Sequence, residues 1–89
     1  MFDVQVLCFE EEGALVRLFG AIERRGFVVH QIIAGTSRAR GHMHLTLSVR
    51  GRGRGASYLL PQLRKLPHVL DVALLDARAG SHARAAEAS

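Results

Sequence analysis

The sequence holds no tryptophan, two prolines and one cysteine among its 89 residues. The lone thiol, Cys8, excludes an internal disulfide and any cysteine-based zinc cage. No apolar run approaches the length of a transmembrane helix, so no membrane anchoring is expected. Phe2 and Asp3 follow Met1 with no basic stretch between them. No secretory leader is therefore expected, and the expected location is cytoplasmic. Lysine is nearly missing as well: of the twelve basic residues eleven are arginine, the exception being Lys65.

What is present describes one folded domain. Hydrophobic residues make up 48% and charged residues 22%, a globular balance rather than a disordered one. A chain of this size buries only about 60–65% of its unfolded surface, so its core is small and often leans on a partner. The net charge of +4 is concentrated around one stretch, in Arg38, Arg40, Arg50, Arg52 and Arg54. Such a stripe suits an acidic partner or nucleic acid, although a solvated arginine-rich surface has the same composition.

Periodicity places six elements. Phe2, Val4, Val6 and Cys8 alternate with Asp3 and Gln5, giving a first strand over Phe2–Phe9. Glu10, Glu11, Glu12 and Gly13 end it. Leu15, Leu18, Phe19 and Ile22 form the stripe of a helix over Ala14–Arg25, with acidic residues at its start and Arg24 and Arg25 at its end. Gly26 is its left-handed stop. A second strand covers Phe27–Gly35. A third covers His42–Arg50, with Met43, Leu45, Leu47 and Val49 inward and His42, His44, Thr46 and Ser48 outward.

The run Gly51-Arg52-Gly53-Arg54-Gly55 is a flexible connection to a second helix between Ala56 and Leu66. Pro61 requires that helix either to start late or to have an irregular first turn. A fourth strand covers Val69–Ala77, with Leu70, Val72 and Leu74 inward. Residues 1–77 form the domain. The Ala-rich segment 78–89 lacks large apolar residues and is expected to be a disordered tail. The order strand–helix–strand, strand–helix–strand predicts an α+β fold of the ferredoxin-like βαββαβ type, a four-stranded antiparallel sheet with both helices on one face.

Few residues suggest chemistry. His42 and His44 share one strand face and His30 lies on a neighbouring strand, but no cysteine or carboxylate is spaced to complete a metal site with them. Cys8 alternates onto the core face with no activating base nearby. The three glutamates lack the fixed separation that paired acid–base catalysis needs. A ferredoxin-like RNA-binding module would place aromatics on its central strands, where the outward residues here are His42, His44, Thr46 and Ser48. An acylphosphatase-like enzyme would need a glycine- and arginine-rich anion loop in place of the glutamates. No catalytic residue and no metal ligand is assigned.

Several segments carry a family likeness. Gly13-Ala14-Leu15, then Arg24-Arg25-Gly26-Phe27-Val28-Val29, then Leu63-Arg64-Lys65-Leu66 leading into Val69-Leu70-Asp71-Val72 resemble an ACT domain. In particular they resemble the small subunit of acetohydroxyacid (acetolactate) synthase, of the short isozyme II type, over Phe2–Leu75. The chain stops just after this domain, as the short type does. The resemblance implies a regulatory subunit without catalytic residues, one that binds and activates a large catalytic subunit in branched-chain amino-acid (valine, leucine, isoleucine) biosynthesis. Thiamine diphosphate, magnesium and FAD are expected on that partner and no cofactor on this chain. It also implies a homodimer through the ACT domains. A free-standing amino-acid-sensing ACT protein is the alternative within the fold.

Amino-acid-binding ACT domains place Asn-x-Pro-Gly before the first helix, where this chain has Glu10-Glu11-Glu12-Gly13. A branched-chain amino-acid effector is expected, if one binds, between Glu10, Glu11, Glu12, Gly13, Ala14 and Leu15 of one chain and His30, Gln31 and Ile32 of the neighbour. The carboxylates would weaken that binding by meeting the ligand's α-carboxylate with like charge. The surfaces expected to meet the catalytic subunit are the sheet face with His42, His44 and Thr46 and the basic rim of Arg38, Arg40, Arg50, Arg52 and Arg54.

Overall fold

The computed structural model describes residues 1–75. The expected end of the fourth strand at Ala77 and the expected tail over 78–89 lie outside the described residues. The elements are β1 (Phe2–Phe9), α1 (Ala14–Arg24), β2 (Phe27–Thr36), β3 (His42–Gly51), α2 (Ala56–Arg64) and β4 (Val69–Leu75). They form one sheet in the order β2-β3-β1-β4, with every neighbouring pair antiparallel. This is the ferredoxin-like plait that the element order predicts.

Register aligns the apolar rows. Val4 faces Leu47, Val6 faces Leu45 and Cys8 faces Met43 across the central pair β1–β3. Leu18 and Ile22 of α1 and Leu59 and Leu63 of α2 close over this row in one cluster. Each such side chain, fully buried, contributes about 1.5–3 kcal/mol against conformational entropy. Gly26 has a φ of +85°, the left-handed backbone that ends α1 and turns the chain into β2. The amides of Arg25 and Gly26 close the last turn on the carbonyls of Ile22 and Glu23.

Three details depart from simple periodicity. First, β2 carries a bulge: Val29 pairs with Val49, but Gln31, not His30, pairs with Ser48. The extra residue shifts the phase, so Val29 and Ile32 both pack on the core although they stand three positions apart. Val28 and Ile33 are left exposed.

Second, β4 holds an extra residue opposite the Leu7–Cys8 step. Of the three residues expected inward, only Val72 is buried; Leu70 and Leu74 are exposed, and Val69 packs against the core instead. The bulge flips Leu70, and Leu74 lies on an edge strand. Third, α2 starts at Ala56 on the Gly55 cap, with Pro61 inside it. Its first turn is irregular: Tyr58 and Leu59 both donate to the Gly55 carbonyl, at 3.1 and 3.3 Å. Pro61 leaves the Ser57 carbonyl without its usual helical donor.

Candidate functional site

The turn between β1 and α1 is held by backbone bonds, one of them to the β2–β3 turn. Gly13 caps the helix with a φ of +80°. The Glu10 amide donates to the Gly41 carbonyl at 2.7 Å, and the Ala14 amide to the Glu11 carbonyl at 3.1 Å. Arg17, one turn into α1, reaches back to Glu11 with 3.1 Å between Nη2 and Oε1. Its other terminal nitrogen approaches the Glu12 carbonyl at 3.4 Å. One of the three glutamate charges is thus offset by an arginine, which lessens the like-charge crowding that the sequence implies at this helix start. Ala14 is buried, and Leu15 is half-buried and packs at the core's margin.

A hollow of about 300 Å³ lies where α1 crosses the β2 bulge, lined by Phe19, Glu23, Val29, His30, Gln31 and Ile32. It gathers the three β2 residues singled out in the sequence. Glu23 joins them because Phe19 and Glu23 are one helical turn apart on α1. The sequence analysis missed Glu23; its i, i+4 relation to Phe19 was the available signal. Glu11 lines a different groove, with Val16, Arg17, Arg24, Leu66, Pro67 and His68. Within one chain the two halves of the expected effector site therefore open into separate hollows.

The basic residues do not form one rim. Arg38 and Arg40 are exposed in the β2–β3 turn, while Arg50, Arg52 and Arg54 lie at the other end of β3. Met43 and Gly51 stand eight positions apart along β3, about 26 Å. At the second end, Val28, His30, Arg50, Gly51 and Arg52 surround a hollow of about 430 Å³. Arg54 is occupied: its guanidinium lies 4.2 Å over the Tyr58 ring.

The outward sheet face carries His44 and Thr46, opposite Leu7 and Gln5 of β1. His42 meets Phe9 edge-to-face, with ring centres 5.3 Å apart. His44 pairs with Gly35 on β2, about 16 Å along the strand from His30, so the three imidazoles do not converge. Cys8 is enclosed; burial first, and the Glu11 charge second, push its thiol pKa up. That favours the inert thiol over the thiolate.

The family model for the ACT domain matches residues 10–72. The acetolactate synthase small subunit of Thermotoga maritima superposes with a TM-score of 0.76 at 27% identity, over 84% of this chain and 47% of that one. The present chain thus spans about half the length of that protein. The ACT domain from GTP pyrophosphokinase of Chlorobium tepidum gives a TM-score of 0.65 at 17% identity, over 83% of this chain and 95% of that one. The C-terminal domain of the MgtC protein from Mycobacterium tuberculosis gives 0.65 at 20% identity, over 88% and 90%. The last two share the fold alone. No curated protein sequence matches the chain.

Proposed function

The chain belongs to the ACT domain family, and on that footing we propose that it is a non-catalytic regulatory subunit of acetolactate synthase. In this reading it binds and activates the thiamine-diphosphate-dependent catalytic subunit, in the manner of the short isozyme II type. Thiamine diphosphate, magnesium and FAD belong to that partner. The observation that carries the reading is the likeness to the T. maritima small subunit, which at 27% identity and a TM-score of 0.76 extends over most of this chain.

A subunit without reacting groups works by differential binding. It must hold the active arrangement of its partner more tightly than the inactive one. Tenfold activation needs about 1.4 kcal/mol of such preference, which a modest interface supplies. The two arginine clusters offer charge for steering an acidic partner surface, and the face with His44 and Thr46 offers polar contact.

A homodimer through the β2 edge is part of the same proposal. Val28 and Ile33 leave apolar surface exposed on that strand, and a second copy would cover it. A dimer would also bring Glu10–Leu15 of one chain toward His30–Ile32 of the other, joining the two halves of the effector site. The test is reconstitution with the acetolactate synthase catalytic subunit of the same organism. Co-elution and a raised rate of acetolactate formation support the reading; a catalytic subunit that neither binds the chain nor gains rate at saturating concentration overturns it.

A further inference from the structure

We infer that the groove between α1 and the α2–β4 turn is a binding site for a small monocarboxylate with an apolar body, separate from the effector joint at the β2 edge. The groove has a volume of about 490 Å³. Arg17, Gly20 and Arg24 follow one another at helical spacing along α1. Gly20 contributes no side chain, and the Arg24 guanidinium lies back over it: a Cβ on Gly20 would stand 3.0 Å from Arg24 Nη1. The two arginines are not equivalent. Arg17 is paired with Glu11, whereas the Arg24 guanidinium makes no hydrogen bond or ion pair among the described residues.

A free, planar guanidinium on the wall of a groove suits bidentate binding of a carboxylate. The apolar part of the lining is Val16, Leu66 and Pro67, and Val16 is 75% exposed. Charge selects the class of ligand. The Arg17–Glu11 pair is neutral as a unit, so Arg24 supplies one net positive charge; this matches a monoanion and leaves the second charge of a dianion such as phosphate uncompensated.

A second, independent observation lies in the same groove. His68 lines it, is only 4% exposed, and has an Nε2 without a hydrogen-bond partner. A buried polar atom left unpaired is costly. That nitrogen is sealed from solvent, so it makes no contact with a ligand in the groove. The Leu66–His68 turn is anchored on its other side, where the His68 carbonyl accepts the Phe9 amide at 2.9 Å. His68 reports occupancy as part of the lining, while Arg24 supplies the binding.

The inference needs no catalytic partner, so its test is independent of the proposed function. The ¹⁵N-labelled chain is titrated with sodium 3-methylbutanoate, sodium acetate and sodium phosphate at matched ionic strength and pH. The expected result is saturable movement of the Arg24 Nε–Hε signal and of the Leu66 and His68 amides with 3-methylbutanoate, half-complete at about 1–10 mM. Acetate should require at least about threefold more, because it lacks the apolar body.

Arg24→Gln, at an exposed helix position, should weaken binding about tenfold. Gly20→Ala displaces the guanidinium while favouring the helix, so a folded variant with weakened binding guards against misreading an unfolded one. Non-saturating shifts, an Arg24→Gln titration matching the parent, or tighter binding of phosphate than of 3-methylbutanoate would overturn the inference.

Discussion

The Arg54 guanidinium lies over the Tyr58 ring, 4.2 Å from its centre, and the ring in turn stacks on Phe27 at 6.3 Å with 12° between planes. The connection before α2 is thereby tied to the start of β2. Arg54→Ser should cost about 0.5–1 kcal/mol of stability, whereas Arg52→Ser should change it by less than about 0.5 kcal/mol. Urea unfolding of the two variants checks this; equal losses would mean the stacking contributes nothing.

In the proposed complex, steering at that end falls to Arg50 and Arg52, because Arg54 is occupied by the Tyr58 ring. Arg50→Ser combined with Arg52→Ser should raise the concentration needed for half-maximal activation of the catalytic subunit, more at low salt than at high. The rate at saturation should change little. A double variant that binds normally yet fails to activate would place this end of the sheet in the switch itself.

Two glycines should fail for opposite reasons. Gly26 has a φ of +85° with nothing within 4 Å of an added Cβ, so Gly26→Ala suffers only backbone strain, about 1–2 kcal/mol. Gly51 has no such backbone, but a Cβ there would fall on the Arg54 carbonyl and 2.6 Å from Phe27 Cε2. Gly51→Ala should therefore lose more, about 3 kcal/mol, and disturb the Phe27–Tyr58 stack. Thermal melts that rank the two variants the other way would contradict the packing described.

The raised pKa of Cys8 has a sign that can be measured. The native state keeps its thiol proton at a pH where the unfolded chain, with an ordinary thiol near about 8.5, gives it up. The native state then binds more protons than the unfolded one, so stability falls with rising pH. The contribution is full below the unfolded pKa and is lost as pH climbs through the folded one. Urea midpoints at pH 7 and pH 9.5 should differ by more in the parent than in Cys8→Ala. In the native protein the thiol should react with a disulfide reagent far more slowly than in urea.

The proposed dimer makes its own demand on β2. Ile33 is 51% exposed and lies opposite Thr46 on the outward face. Ile33→Lys should weaken self-association at least about tenfold, read by light scattering at tens of micromolar, without lowering the melting temperature of the separated chain. A parent that is monomeric at that concentration would remove the dimer from the proposal. Calorimetry with valine should then show millimolar binding or none.

Much of the fold was legible because β3 sits centrally and is covered on one face only. Met43, Leu45, Leu47 and Val49 had to alternate with polar residues, and they do. Gly26 was legible because few other residues tolerate its backbone. The phase of β2 was not. Val28, Val29, Ile32 and Ile33 permit either alternation, and only pairing with β3 decides where the extra residue goes. Leu70 was misplaced for the same reason.

Site residues were harder to read. The five arginines are close in sequence around one hairpin, and local periodicity does not reveal that strand length carries them to opposite ends. The groove along α1 was hidden more deeply, since Arg24 reads as an ordinary helix-end charge until Gly20 is seen beneath it and His68 beside it.

The irregular step at His30 has a further consequence, for growth. Both outer strands of the sheet carry an extra residue, β2 at His30 and β4 opposite Leu7–Cys8. Head-to-tail growth of the sheet would require β2 of one molecule to lie along β4 of the next. That mating would need two unrelated kinks to coincide over strands of ten and seven residues. Two β2 strands meeting about a twofold axis face no such mismatch, because each brings the same kink. In the proposed dimer the two β2 edges thus close on each other, and head-to-tail growth of the sheet is disfavoured.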